Sequence, residues 1–227
     1  WLKREDLSPV RSYKIRGALN AITKHRAAHP GQDLFVAASA GNHAQGVAFV
    51  CRQLGVKGVI FMPVTTPQQK IGKTRHFGGD HVEIHLTGDY FDQTLAAARD
   101  WCAREGGHFL SPFDDDDVIE GQASLAVEIE AQMEGGDPDL VVLPVGGGGM
   151  SAGVSSYLSG RCDFSFVEPA GGACLHEALI AGRPVDLDRV DTFVDGAAVG
   201  RIGERSFARL KGFGLQTSFV LSEDRIC

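Results

Sequence analysis

Five short apolar runs alternate along this 227-residue chain with longer segments of helical character. Apolar strands separated by helices of ten or more residues are typical of βαβ units, in which helices cover a mostly parallel sheet on both faces. We therefore predict an α/β fold. The predicted strands are 34–39, 58–63, 81–86, 140–145 and 164–168, and the predicted helices are 43–55, 67–78, 89–107, 118–133 and 150–159.

Composition excludes several classes of protein. The chain is 43% hydrophobic and 22% charged, as a globular protein is, and its net charge of −7 argues against nucleic acid or an anionic membrane as partner. Apolar runs stay well short of the roughly 20 residues that span a bilayer. The five cysteines are an odd number without a C-x-x-C pair, which favours a reducing, cytoplasmic location over a disulfide framework or a zinc site.

The two ends and one internal segment bear on domain organisation. The chain opens at Trp1 inside a strand-like WLKRED and stops after SFVLSEDRIC, a strand followed by a helix start, so we expect residues to be missing on both sides. The turn-rich acidic segment SPFDDDD, 111–117, is the best candidate for a domain boundary.

A run of four glycines joins a predicted strand to a predicted helix in LPVGGGGMSAG, 143–153. Glycine lets the backbone approach an anion closely, and the free amides and the helix dipole supply the positive end, so Gly146–Gly149 predict a phosphate site. Two alternatives stay open at this point. One is a glycine-rich turn without a ligand; the other is a dinucleotide-binding G-x-G-x-x-A at Gly147, Gly149 and Ala152, with Glu168 as the ribose-binding acid.

A second strand-to-helix loop, ASAGNHAQG at 38–46, has a similar design. The amides of Ser39–Asn42 are suited to form a nest for a carboxylate, although ordinary helix capping by Asn42 or Ser39 is the alternative.

One lysine is held between two apolar side chains in SYKIRGA, 12–18. Lys14 between Tyr13 and Ile15 is either the start of an amphipathic helix, with the ammonium reaching water, or a partly desolvated amine that does chemistry. A phosphate cradle, a carboxylate nest and a desolvated lysine together suit pyridoxal phosphate holding an amino acid.

Six motifs carry a resemblance over essentially the whole chain. WLKREDLSPVRSYKIRGA, SAGNHAQGVA, GQASLAVEI, PVGGGGMSAG, VEPAG and FVDGAAV, in that order, resemble fold-type II pyridoxal-phosphate enzymes, and most closely the biosynthetic threonine dehydratases. The resemblance implies two open, twisted, mostly parallel sheets flanked by helices, as in tryptophan synthase beta-like folds. It also implies a large cofactor-binding domain (1–35 with 114–227) and a small mobile domain (36–113).

The same resemblance implies roles for individual residues. Lys14 forms the internal aldimine and acts as the base, Tyr13 stacks beside the cofactor, and Asn42 bonds the pyridine 3′-oxygen. Glu168 lies near the site without an assigned role, and the partner of the pyridine nitrogen is expected beyond residue 227. The substrate-carboxylate loop comprises Ser39, Ala40, Gly41, Asn42 and His43, and the phosphate loop comprises Gly146, Gly147, Gly148, Gly149 and Met150.

The activity implied is elimination of water from L-threonine, and also from L-serine, giving 2-oxobutanoate and ammonia from threonine in the first step of isoleucine biosynthesis. A homo-oligomer, dimer or tetramer, is expected. The alternatives are a serine or threonine racemase and, from a different class, a non-catalytic dinucleotide-binding module. Family racemases carry a serine at the position of Ala40, which favours the dehydratase.

No metal site is predicted. The segment EPAGGAC offers no second carboxylate after Glu168, unlike the metal-dependent racemases of the family. We interpret His81, Glu83 and His85 as one face of a half-exposed edge strand. The acidic run Asp114–Asp117 is interpreted as a solvated turn.

Overall fold

The structure is a computed structural model that describes residues 1–134 and 136–226. The chain divides into two compact units, Trp1–Pro112 and a second that begins at Phe113, and the division falls within the acidic segment predicted as a boundary. The grouping of residues 1–35 with 114–227 in one large domain stays a prediction. Among the described residues, every helix is too short or too polar to cross a lipid bilayer.

The first unit is built on a four-stranded parallel sheet in the order β3-β2-β1-β4. Its core is formed by β1 and β2, whose Phe35–Ala38 and Val59–Met62 segments are buried. The elements are α1 Lys14–Ala28, β1 Leu34–Ala38, α2 Asn42–Leu54, β2 Lys57–Met62, α3 Gln68–Gly78, β3 Val82–Leu86, α4 Phe91–Glu105 and β4 His108–Phe109.

Strand order determines where the loops of this unit meet. From β1 the chain moves outward through β2 to β3 and then crosses to pair β4 with the other side of β1. Such a reversal at parallel strands opens a crevice at their carboxyl ends, where α/β proteins bind ligands. The segments that follow β1 and β4, 39–42 and 110–112, are therefore neighbours.

The second unit has a three-stranded parallel sheet in the order β5-β6-β7. Two of its helices, 116–132 and 149–157, pack closely against each other, since a Cβ placed on Gly153 would collide with the backbone of Ile119. The elements are α5 Asp116–Gln132, β5 Leu140–Pro144, α6 Gly149–Tyr157, β6 Asp163–Pro169, α7 Cys174–Ala181, α8 Glu204–Leu210, β7 Ser218–Leu221 and α9 Glu223–Ile226.

The predicted α/β class and its parallel sheets are confirmed, and the predicted elements recur with ends shifted by one or two residues. The strand-like reading of WLKRED is wrong, because Glu5–Leu7 forms a 3-10 turn. The strand and helix start in SFVLSEDRIC are confirmed as β7 and α9, and Cys227 lies outside the described residues. The other four cysteines form no disulfide.

The acidic run is not merely a solvated turn. The Asp115 carboxylate accepts hydrogen bonds from the amides of Asp117 (2.9 Å) and Val118 (3.0 Å) and so caps α5, while Asp116 pairs with Arg209 at 2.9 Å. Carboxylates are favoured in the first turn of a helix because amides there lack partners, which explains the run.

The edge-strand interpretation of HVEIHL is confirmed, because β3 is the outer strand of its sheet. His85 Nε2 lies 2.6 Å from Glu83 Oε1, but His81 belongs to the 3-10 turn Gly79–His81 before the strand. Within the described residues, no three histidine, cysteine or acidic side chains are grouped to hold a metal ion.

Candidate functional site

Two serines fix the backbone at the lysine singled out from the sequence. Helix α1 begins at Lys14, whose amide donates to Ser12 Oγ at 3.1 Å, and the amide of Ser12 donates to Ser8 Oγ at 2.9 Å. The turn before the helix places Arg11 at φ 55°, the one positive φ among the described residues other than glycine. The lysine therefore occupies a defined position on the first turn of α1.

The side chain of Lys14 is half-buried and directed to a backbone carbonyl. Its Nζ donates to Pro112 O at 2.8 Å and lies 5.4 Å from the centroid of the Tyr13 ring. Both contacts suit a cation, since a carbonyl oxygen and an aromatic face are each electron-rich. Of the two interpretations of Lys14, these contacts favour the partly desolvated amine.

The backbone of Lys14 packs closely against α2. A Cβ on Gly46 would lie 3.2 Å from Ile15 N and Lys14 C, so glycine permits α2 to approach the backbone of the lysine. On the other side, Arg16 forms a two-point ion pair with Glu5, with distances of 2.8 and 2.9 Å and side chains only 16% exposed. A paired arginine fork of this kind restricts orientation as well as adding energy.

The loop after β1 is the predicted carboxylate nest. Its Ser39 amide donates to Phe61 O at 3.0 Å, and Ser39 Oγ accepts from the Gly41 amide at 3.1 Å. The N-cap of α2 is Gly41, so the alternative in which Asn42 caps this helix does not apply. Asn42 is the first helical residue and is exposed, which leaves its amide side chain at the surface of the loop.

His43 is a buried, neutral imidazole. It is 3% exposed, and its Nε2 lies 3.0 Å from Leu110 O; since a carbonyl only accepts, Nε2 carries the proton. Burial, helped by the positive charge of Lys14, lowers the pKa of His43 to about 3. Leu110 follows β4 and His43 follows β1, so this contact joins the two loops at the point where the strand order reverses.

In the second unit the glycine loop runs from the end of β5 to the start of α6, with Gly148 at φ 87°. Its carbonyls are hydrogen-bonded: the thiol of Cys174 donates to Gly146 O at 3.2 Å, the amide of Gly203 to Gly147 O at 3.2 Å, and the amide of Ala152 to Gly148 O at 2.8 Å. None of these bonds uses the amides of Gly147 or Gly148.

The loop also lies directly on core side chains. A Cβ on Gly147 would collide with the Phe113 ring, and one on Gly149 would lie 2.7 Å from Phe113 O. Close packing thus gives part of the reason for the glycine run, independently of any ligand.

A further side chain beside this loop suits a phosphate. Ser206 is fully buried, its hydroxyl lacks a hydrogen-bond partner among the described residues, and its Cβ would touch a Cβ on Gly148 at 2.9 Å. The loop therefore offers a donor set that fits a phosphate. It comprises amides that the loop's own bonds do not use, the start of α6 and the unsatisfied hydroxyl of Ser206.

Glu168 does not serve as a ribose-binding acid. It is fully buried at the end of β6, where its two carboxylate oxygens accept from the amides of Leu175 (2.7 Å) and His176 (2.8 Å). Burial raises the pKa of this carboxyl to about 7. A side chain enclosed in this way is not presented to a nucleotide, which argues against the dinucleotide-binding alternative.

Several contacts could not be inferred from the sequence. The carbonyls of Leu110 and Pro112 act through the backbone, which carries no residue-type signal. Ser206 lies outside the six motifs, and Phe113 lies in a segment predicted only as a domain boundary. The strand order, which places the loops after β1 and β4 side by side, was the missing information.

A groove in the second unit has no part in this arrangement. It is lined by residues that include Leu140 and Asp163, the first residues of β5 and β6, together with Phe213. It therefore opens at the amino ends of the strands, whereas the glycine loop follows the carboxyl end of β5. Ligands of open parallel sheets bind at the carboxyl ends.

Comparison with known proteins identifies the family. The family model described as "Pyridoxal-phosphate dependent enzyme" matches residues 1–227. This chain belongs to that family. Pyridoxal phosphate is accordingly its cofactor, and the fold is that of fold-type II pyridoxal-phosphate enzymes.

Two relatives of this chain are named as a threonine dehydratase and a threonine deaminase. The L-threonine dehydratase biosynthetic IlvA of Mycobacterium tuberculosis is 46% identical over 231 residues, which cover 100% of this chain and 53% of that protein. The processed form of threonine deaminase isoform 2 from Solanum lycopersicum has a TM-score of 0.89 at 38% identity, covering 98% of this chain and 64% of that one. The chain thus spans about half the length of the dehydratases it matches.

A racemase shares the fold at lower identity. A pyridoxal 5′-phosphate-dependent aspartate racemase superposes with a TM-score of 0.86 at 28% identity, over 98% of this chain and 67% of that one. Shape alone therefore does not separate the two activities.

His43 should make stability depend on pH. Its pKa in the folded protein, about 3, lies below the ordinary 6.5, so its contribution to stability is present above pH 6.5 and is lost as the pH falls toward 3. His43→Gln keeps an N–H donor for Leu110 O and removes the titration. Relative to this variant, the free energy of unfolding of the wild type should fall by up to about 1.4 kcal/mol per pH unit below pH 6.

Urea unfolding at pH 7.5, 6 and 5 measures this difference, with His76→Gln, an exposed histidine, as the control. Parallel pH profiles for wild type and His43→Gln would contradict a neutral, buried His43.

Proposed function

We propose that the protein containing this chain is a pyridoxal-phosphate-dependent lyase that removes water from L-threonine, giving 2-oxobutanoate and ammonia, and from L-serine, giving pyruvate and ammonia. The observation that carries the proposal is the Lys14 amine, held on the first turn of α1 by Pro112 O beside the loop that follows β1. The 46% identity with a threonine dehydratase along the entire chain supports the choice of substrate.

Lys14 is assigned two tasks. It is the residue to which the cofactor is attached, and it is the base that takes the proton from the α-carbon of the amino acid. Pyridoxal phosphate, when bound, supplies the electron sink for that carbon. The Pro112 carbonyl and the packing on Gly46 keep the amine in one place, and a fixed base needs less reorganisation during proton transfer.

The loop after β1 is assigned to the substrate carboxylate. Backbone amides of Ser39–Asn42 and the amino end of α2, a helix of 13 residues, favour an anion there. His43 belongs to this loop but is neutral, so it contributes shape and its bond to Leu110 O rather than charge. The Asn42 amide, exposed at the loop surface, is assigned to the pyridine 3′-oxygen, and Tyr13 to stacking beside the cofactor.

The glycine loop is assigned to the cofactor phosphate. Amides of Gly146–Gly149 and Met150 at the start of α6 would hold it, with the Ser206 hydroxyl as a further donor that the sequence did not suggest. A buried hydroxyl without a partner costs free energy, and a phosphate oxygen would remove that cost.

The biological setting follows from the same proposal. We place the protein in the cytoplasm, at the first step of isoleucine biosynthesis, as a homo-oligomer, dimer or tetramer. The four described cysteines, none of them in a disulfide, are compatible with the cytoplasm, and the word "biosynthetic" in the names of the relatives supports the pathway.

Lys14→Ala should lower 2-oxobutanoate formation from L-threonine by more than about 100-fold, because it removes both the attachment point and the base. The variant should also lose the visible absorption that a bound pyridoxal group shows when attached to lysine. Product formation and absorbance spectra are the two measurements.

Lys57→Ala is the matched control, since it removes an exposed lysine from the same unit at the start of β2. It should leave turnover and spectrum unchanged. Substantial 2-oxobutanoate formation by Lys14→Ala would refute the assignment.

The racemase alternative is tested at Ala40. Ala40 has no hydroxyl that could return a proton to the α-carbon, so L-serine should yield pyruvate much faster than D-serine. Chiral analysis of the remaining serine, next to a pyruvate assay, measures both rates. Accumulation of D-serine as fast as pyruvate would favour the racemase, and Ala40→Ser should raise the D-serine rate from its low level.

A further inference from the structure

Glu168, whose role the sequence leaves open, is linked by hydrogen bonds to the glycine loop. We propose that Glu168 is a positioning residue: through α7 and the Cys174 thiol it sets the orientation of the Gly146–Gly147 peptide, and so aims an amide at the phosphate. The inference rests on the proposed phosphate role of this loop.

The first link is the cap of α7. This eight-residue helix has Ala173 at its N-cap and makes no side-chain cap of its own. The carboxylate of Glu168 replaces that cap from the neighbouring strand, accepting from Leu175 at 2.7 Å and from His176 at 2.8 Å. Both amides would otherwise lack partners within the helix, so the start of α7 depends on Glu168.

The second link is the Cys174 thiol. Cys174 is the first residue of α7, is fully buried, and donates to Gly146 O at 3.2 Å. Burial, together with the charge of Glu168 and a direct side-chain interaction of the thiol with that carboxylate, raises the pKa of this thiol above its usual range. The sulfur therefore keeps its proton at physiological pH and stays a donor.

The third link is the geometry of the peptide group. A trans peptide is planar, and its C=O and N–H point in opposite directions. Among the described residues every peptide bond is trans. A bond that draws Gly146 O toward α7 therefore directs the Gly147 amide away from α7. In the next peptide, the Gly203 amide donates to Gly147 O at 3.2 Å, so the Gly148 amide is directed away from Gly203.

Glycine makes such a constraint necessary. A peptide between two glycines rotates with little steric resistance, so its orientation must come from hydrogen bonds. Gly146 is also confined by Ala197, whose Cα would lie 3.3 Å from a Cβ on that glycine. Removing the thiol bond would release the carbonyl while leaving the packing in place.

The test measures ligand affinity in Cys174→Ala, Cys174→Ser, Glu168→Gln and the double variant Glu168→Gln/Cys174→Ala. The full-length protein, freed of cofactor, is titrated with pyridoxal phosphate and separately with inorganic phosphate. A pH of 8 keeps Glu168 ionised, because its pKa is about 7. Cys162→Ala is the matched control, since Cys162 is a free thiol of the same unit that lines the groove at the opposite ends of the strands.

Cys174→Ala should weaken both ligands by about fivefold, the loss expected for one hydrogen bond. Cys174→Ser should bind within about twofold of the wild type, because a hydroxyl donates to the same carbonyl. Glu168→Gln should weaken binding by no more than about fivefold, and the double variant no further than Cys174→Ala alone, since the two residues act through one contact. Cys162→Ala should not differ from the wild type.

Three results would overturn the proposal: unchanged affinities in Cys174→Ala, no recovery in Cys174→Ser, or losses that multiply in the double variant. If Glu168→Gln does not fold, the two Cys174 variants decide the matter. A wild-type protein that binds neither ligand would instead refute the proposed phosphate site itself, so the two failures are distinguishable.

Discussion

The orientation of backbone peptides at the carboxyl ends of parallel strands is the constraint on which the candidate loops of each unit depend. In the glycine loop, Cys174 and Gly203 hold the carbonyls of Gly146 and Gly147, and the following amides are directed the other way. After β1, the Ser39 amide and hydroxyl hold the loop that leads into α2. In the proposed sites, dipoles fixed during folding would bind the anions, which avoids the cost of ordering those dipoles when the ligand arrives.

Burial sets the charge of the groups around these loops. It lowers the pKa of His43 and raises that of Glu168, because in each case the charged form loses its hydration. In the first unit this leaves the amine of Lys14 beside a neutral imidazole. In the second, two amides of α7 bind the buried carboxylate and so stabilise its charged form. Neither residue is placed to react; both hold a loop.

Much of the fold, and the loops that form the candidate site, could be predicted from the sequence. Strands such as 140–145 are uniformly apolar. The glycine run and the lysine between Tyr13 and Ile15 are patterns of neighbouring residues, which a sequence shows directly. Contacts made through backbone carbonyls, such as that of Lys14 with Pro112, could not be predicted from the sequence, because any residue supplies a carbonyl. The acidic run was misread for a related reason: Asp115 acts as a cap only because α5 begins there.

The most direct test of the account is to locate the lysine that carries the cofactor. Borohydride reduction of the protein with its cofactor converts the lysine linkage to a stable amine, and peptide mass spectrometry then identifies the modified residue. The account predicts one modified peptide, containing Lys14, with the mass of a phosphopyridoxyl group added. Modification of a different lysine, or a protein that keeps its cofactor yet yields no modified peptide, would contradict it.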